Sequence, residues 1–201
     1  MKVTISRAIL NQARDAVISV KEQIEANDAK IEELPKVDPV MDGQLAFEKY
    51  TQTVAELHEA VEQIISQGLT TVQDLRDRFD ADLTEQETPK GDDLSNPDYI
   101  LIRDNLIDTE AQLKALLEKH SNIAFARAAQ NYADARGWVG FNEGVQDFRA
   151  VAGIARDMGE AYFHHCETAV SNPYGVAAMQ IADEGEINRM AKEYCILDYL
   201  V

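Results

Sequence analysis

Residues 10–34 read LNQARDAVISVKEQIEANDAKIEEL, and the order of apolar and polar positions in this stretch decides the fold. Leu10, Ala13, Val17, Val20, Ile24, Asn27, Ile31 and Leu34 recur at alternating spacings of three and four. Such a heptad keeps one narrow seam of a helix facing a partner helix. Asn27 is its one polar occupant, and a buried Asn in a seam sets register at some cost in stability. Pro35 stops the helix, because it lacks an N–H and clashes with the preceding turn.

Outward from this seam, PKVDPVMDG at 35–43 is a turn, with Pro35, Pro39 and Gly43 as breakers. The heptad then resumes at Phe47, Tyr50, Val54, Leu57, Val61 and Ile64, and Gly68 reads as a C-terminal cap. Two amphipathic helices joined by a short linker fold back on each other. The spacing therefore predicts a long antiparallel αα-hairpin over residues 1–69. Its seam cannot be fully buried by two helices, so Leu10, Ile24, Leu57 and Ile64 require a further cover. That cover is either the C-terminal part of the chain or another copy of it.

Residues 70–96 read as a short helix, opened by a capping box at Thr71 and Asp74, followed by an acidic loop over 80–97. Residues 97–201 read as a helical bundle. Asn96–Pro97 is an N-cap and first turn, with Tyr99, Ile102, Leu106, Thr109, Leu113, Leu116 and His120 along the helix that follows. An alanine-rich helix ends at Gly137. The next helix carries Phe141, Val145, Phe148, Ala152, Ala155, Gly159, Tyr162, Cys166 and Ala169 on one stripe, its small residues suited to a close helix crossing. The C-terminal helices offer Val176, Met179, Ile187, Met190, Ala191, Tyr194 and Leu197 as apolar faces. KVTI at 2–5 and YILI at 99–102 are short β-branched runs that lead into helical patterns. The fold class is all-α: a coiled-coil-like hairpin plus a C-terminal bundle.

Composition narrows the function. The net charge is −17, which argues against direct nucleic-acid binding and against anionic membrane surfaces. Residues 70–96 are the densest acidic stretch, with three basic and eight acidic side chains. Two cysteines, Cys166 and Cys195, imply no disulfide framework and fit a reducing compartment. No leader peptide or membrane span is legible, so a cytoplasmic location is expected.

The stretch GEAYFHHCETAV at 159–170 holds the most chemistry. Asp157, Glu160, His164 and Glu167 are three, four and three apart and share one helix face, a plausible ligand row for zinc, manganese or iron. The row lies opposite the apolar stripe, so its plainer reading is a solvated charged face, and no metal or other cofactor is expected. His165 reads as a partly buried histidine satisfied by a hydrogen bond, and His120 as a helix-terminal cation. Cys166 lies on the buried stripe and reads as inert. No phosphate loop, CxxC, HExxH or GxSxG motif occurs. Trp138 reads as a plug at a bundle end or as an anchor for a partner.

The expected function is therefore a non-enzymatic interaction or assembly protein, of the kind found among viral or bacterial accessory factors. Its contact residues would be Leu10, Val17, Ile24, Ile31, Phe47, Val54, Leu57, Ile64 and Trp138. Its partner would be a protein, either a second copy or a basic surface. Two alternatives stand beside it. One is an acidic inhibitor that presents carboxylates where a nucleic-acid-binding protein expects phosphates. The other is a metal-dependent helical enzyme using the 157–167 face.

Overall fold

The computed structural model describes residues 4–120, 123–138, 141 and 148–201, with only the backbone of residues 93 and 148–150. Val139, Gly140, Val145 and the first residues of KVTI lie outside the described residues, as does the side chain of Phe148. The described residues are all-α. In chain order the helices are α1 (Arg7–Glu33), α2 (Gln44–Glu87), α3 (Gly91–Ser95), α4 (Pro97–Arg103), α5 (Glu110–Lys119), α6 (Ile123–Ala135), α7 (Phe148–Ser171), α8 (Val176–Ala182) and α9 (Glu186–Glu193). A 3-10 turn follows at Leu197–Tyr199. Among the described residues no helix is long and apolar enough to cross a membrane.

The chain divides into two compact units, one of Met1–Arg7, Asp77–Glu160 and Asn188–Val201, the other of Ala8–Arg76 and Ala161–Ile187. In the second unit α1 and α2 form the hairpin that the heptads predict. Leu10, Ala13, Val17, Val20 and Ile24 are buried along it. Asn27 is buried too, and its Nδ2 donates to the Leu57 carbonyl at 2.6 Å. This bond ties one level of α1 to one level of α2, which is how a polar seam residue sets register. At the turn, Asp38 Oδ1 accepts from the Val40 amide at 2.7 Å, and Asp42 Oδ2 accepts from the Asp38 amide at 2.8 Å.

The first unit has its own core. Ile102, Ile107, Leu113, Leu117, Phe125 and Phe141 are buried together, and Tyr132 Oη donates to the Ile107 carbonyl at 2.8 Å. The two chain ends meet in this unit: the Ile5 amide donates to the Tyr199 carbonyl at 2.7 Å, and the Val201 amide to the Ile5 carbonyl at 3.0 Å. This isolated parallel bridge between Ile5 and Leu200 pairs the last residue of the KVTI stretch with the C-terminal segment.

Five sequence expectations are corrected. Gly68 is no cap, because α2 runs through it to Glu87. A Cβ at Gly68 would lie 2.5 Å from Val20 Cγ2 and 3.0 Å from Val170 Cγ1. The glycine is there so that three backbones can approach, at a helix-propensity cost of about 1 kcal/mol. Thr71 opens no helix either, since its hydroxyl donates back to the Gln67 carbonyl at 2.9 Å in mid-helix.

The acidic loop over 80–97 is likewise mostly helix, with α2 continuing to Glu87 and α3 beginning at Gly91. Its polar residues conceal a continuing stripe, in which Leu83 follows Val72, Leu75 and Phe79 into the interior. Glu87 is also buried, held by Arg156 at 2.6 Å and Arg127 at 3.3 Å. The single helix expected from Pro97 to His120 is broken into α4 and α5. Asn105 takes a left-handed φ of 60°, and Thr109 is the N-cap of a capping box with Gln112. The break turns Leu106 out to solvent and buries Ile107 in its place. Finally, α8 buries Ala178 and Ile181, leaving Val176 and Met179 exposed, and Leu197 is exposed as well.

Candidate functional site

The stripe of α7 is built as its small residues predict. Ala152, Ala155, Tyr162, Cys166 and Ala169 are buried. A Cβ at Gly159 would collide with the ring of Phe79, so the glycine makes room for that aromatic. Tyr162 Oη donates to the Leu10 carbonyl at 3.2 Å. Burial pushes the Tyr162 phenol well above its ordinary range, with Cys166 nearby adding to the effect. Burial also pushes the Cys166 thiol up to about 12, so it is neither a thiolate nor a nucleophile near neutral pH.

The opposite face holds the expected ligand row. Asp157 and Glu160 are exposed, and the His164 side chain is 74% exposed. Glu167 lies 3.8 Å from His164 Nδ1 and 3.6 Å from Arg76 Nη1. Arg76 supplies the positive charge at Glu167 that a metal ion would otherwise bring. Among the described residues, no group of three or more His, Cys, Asp and Glu side chains is arranged to hold a metal ion. Glu167 also lines a shallow open groove with Leu69, Thr70, Gln73, Asp74 and Ser171.

His165 is partly buried, as expected, and its Nδ1 is buried without a hydrogen-bond partner. The ring lies at the edge of the stripe, where neighbouring backbone groups are already committed to the helix ladder. His120 ends α5 as expected, but it has a side-chain partner as well: Nε2 lies 2.8 Å from Asp98 Oδ2, and the ring lies 4.2 Å from that of Phe125. Trp138 is half-buried against the core of the first unit, 5.8 Å from the Tyr132 ring, with the Arg136 guanidinium over both rings.

The hairpin residues behave differently along its length. On α1, Leu10, Val17 and Ile24 are sealed and Ile31 is half-buried, whereas on α2 Phe47, Val54, Leu57 and Ile64 are half-buried throughout. At the turn, Val40, Met41 and Leu45 are 87%, 83% and 68% exposed. The sequence reading missed these three because a Pro- and Asp-rich turn signals only a reversal of the chain. Val40 and Met41 stand on a backbone held by Asp38 and Asp42, which turns two apolar side chains outward from an ordered tip.

Comparison with protein-family models, with the curated proteins and with the solved structures yields no match, so the reading of this chain rests on its own residues.

Proposed function

We propose that this is a non-enzymatic helical interaction protein whose contact element is the distal part of the α1–α2 hairpin. One observation carries the reading: the α1 seam is sealed from Leu10 to Ile24 and half open at Ile31 and Leu34, and the arm ends in the exposed Val40, Met41 and Leu45. Contiguous exposed apolar surface with a polar rim marks interaction sites in soluble proteins. The test is site-specific photo-crosslinking from position 41 in cells, with position 179 as the control site. A discrete adduct from position 41, lost when Tyr50→Ala and Val54→Ser are introduced, is the expected result. Equal labelling from both positions, or adducts indifferent to the seam substitutions, would sink the reading.

A second reading draws on charge. Glu48, Glu56, Glu59 and Glu62 are exposed along α2 of a chain whose net charge is −17. Glu56, Glu59 and Glu62 are each three residues apart and Glu48 lies about two turns before them, an acidic row that could occupy the phosphate track of a basic nucleic-acid-binding protein. Binding of this kind weakens steeply with salt and is competed by duplex DNA or RNA. A complex insensitive to both would rule it out.

A further inference from the structure

Within the unit of residues 8–76 and 161–187, the hairpin has a third helix over only part of its length. The second half of α7 covers the hairpin at Leu10, through Tyr162, and at Gly68, through Val170. α7 ends at Ser171, and Tyr174 Oη, just beyond it, donates to Asp28 Oδ2 at 2.7 Å. Past Asp28, beyond the end of α7, the seam continues along α1 and α2. Ile31, Leu34, Phe47, Tyr50 and Val54 are half-buried along it. From Gln44 to Leu57 this length of α2 measures about 20 Å at 1.5 Å per residue, which matches a helix of about four turns.

We propose that this half-buried length of seam takes a basic amphipathic helix from a partner protein, which continues the line of α7. The proposal rests on the interaction reading above and names its partner. A groove between two helices is filled by side chains at i, i+3, i+4 and i+7 of a third, so the half-buried seam calls for a helical occupant. Charge selects which helix. Residues 28–62 carry nine acidic and three basic side chains, among them Glu32, Glu33, Glu48 and Glu56, all exposed beside the seam. A basic rim on the incoming helix is complementary to these carboxylates, whereas a second copy of this arm would bring like charge against like charge.

The experiment uses the full chain and two synthetic amphipathic peptides of about four helical turns. One is built of Leu and Lys, the other of Leu and Glu at the same apolar spacing, and binding is read by fluorescence anisotropy at two salt concentrations. Sedimentation velocity of the protein alone runs beside it. The Leu/Lys peptide is expected to bind and to weaken by about tenfold or more between low and high salt; the Leu/Glu peptide is expected not to bind. Val54→Ser with Tyr50→Ala should reduce binding about tenfold, and Met179→Ser should leave it unchanged. Val40→Ser with Met41→Ser, at fully exposed positions where folding is not at stake, should weaken it several-fold.

Equal binding of both peptides, or a protein-alone dimer lost on Val54→Ser, overturns the basic-helix proposal and leaves the interaction reading standing. Leu/Lys binding indifferent to the seam and tip substitutions also overturns the proposal, since capture by charge alone needs no apolar seam. Failure of both peptides to bind a monomeric protein overturns the proposal and the interaction reading together.

Discussion

Leu10 and Ile31 occupy the same heptad position of the same helix, three repeats apart, yet Leu10 is completely buried and Ile31 is half open. Both face α2 across the hairpin. The difference lies in a third neighbour. Around Leu10 the seam is closed by Tyr162 of α7, while α7 ends at Ser171 and Tyr174, just beyond it, bonds to Asp28, one turn short of Ile31. A heptad therefore specifies one partner helix and says nothing about the next layer. Where the second partner comes from the chain itself the region becomes a core, and where it does not the region becomes a candidate surface.

The sharpest way to break this comparison is to truncate the same position in both regions. Leu10→Ala removes a sealed side chain and leaves a cavity, an expected loss of about 2–5 kcal/mol. Ile31→Ala removes a side chain already half in water, an expected loss of about 1 kcal/mol. Urea unfolding midpoints at equal m-value measure both. Equal losses would mean that the distal seam is covered as completely as the basal one, for instance by a second copy in solution.

Close packing at the base can be probed from the opposite direction. Gly68→Ala places a Cβ 2.5 Å from Val20 Cγ2, and the overpacking is expected to cost about 1–3 kcal/mol, less the helix-propensity gain of about 1 kcal/mol. Gly153→Ala, with nothing within 4 Å of the new atom, should show the propensity gain alone. If both substitutions stabilise, the basal crossing is looser than these distances imply.

These contrasts also explain what could be read in advance. The hairpin, the seam and the inert Cys166 were legible because each depends on local spacing. The end of α2 was not, since Gly68 carries the same letter as a cap and its role depends on Val170, about a hundred residues away. The acidic stretch at 80–87 looked like a loop because Asp80 and Glu87 gain their partner only when Arg156 is brought up to them. At 97–120 the three-and-four spacing ran straight through a break, because Thr109 fits a seam and an N-cap equally well. The candidate surface was legible as a seam that needed a cover. How far the cover extends is a tertiary fact.

Asn27 stands where the two regions meet, and replacing it sharpens the comparison with a smaller effect. Asn27→Leu loses the bond to the Leu57 carbonyl but gains apolar burial, so stability is expected to change by no more than about 1 kcal/mol in either direction. Register should suffer more than stability, because the Asn27–Leu57 bond ties one level of α1 to one level of α2. Amide hydrogen exchange is expected to quicken from Asp28 to Leu57 and to stay slow around Val17. Unchanged protection beyond Asp28 would show that the turn at Asp38–Asp42 holds the register unaided.

The smallest effect belongs to Tyr174, which marks the end of the third helix. Its hydroxyl donates to Asp28, and that bond to a carboxylate raises the phenol to about 12 from an ordinary value near 10. The raised folded value means that the bond contributes fully below about pH 10 and is lost as pH rises toward 12. Exposure of the pair keeps the contribution small. Titration followed by tyrosinate absorbance should show, besides the buried Tyr162, a late-ionising tyrosine that moves back toward 10 in Asp28→Asn. Tyr174→Phe should leave stability at neutral pH almost unchanged. A large loss on Tyr174→Phe would instead make this contact the clamp that holds the hairpin against α7, and would move the boundary between core and surface outward along the arm.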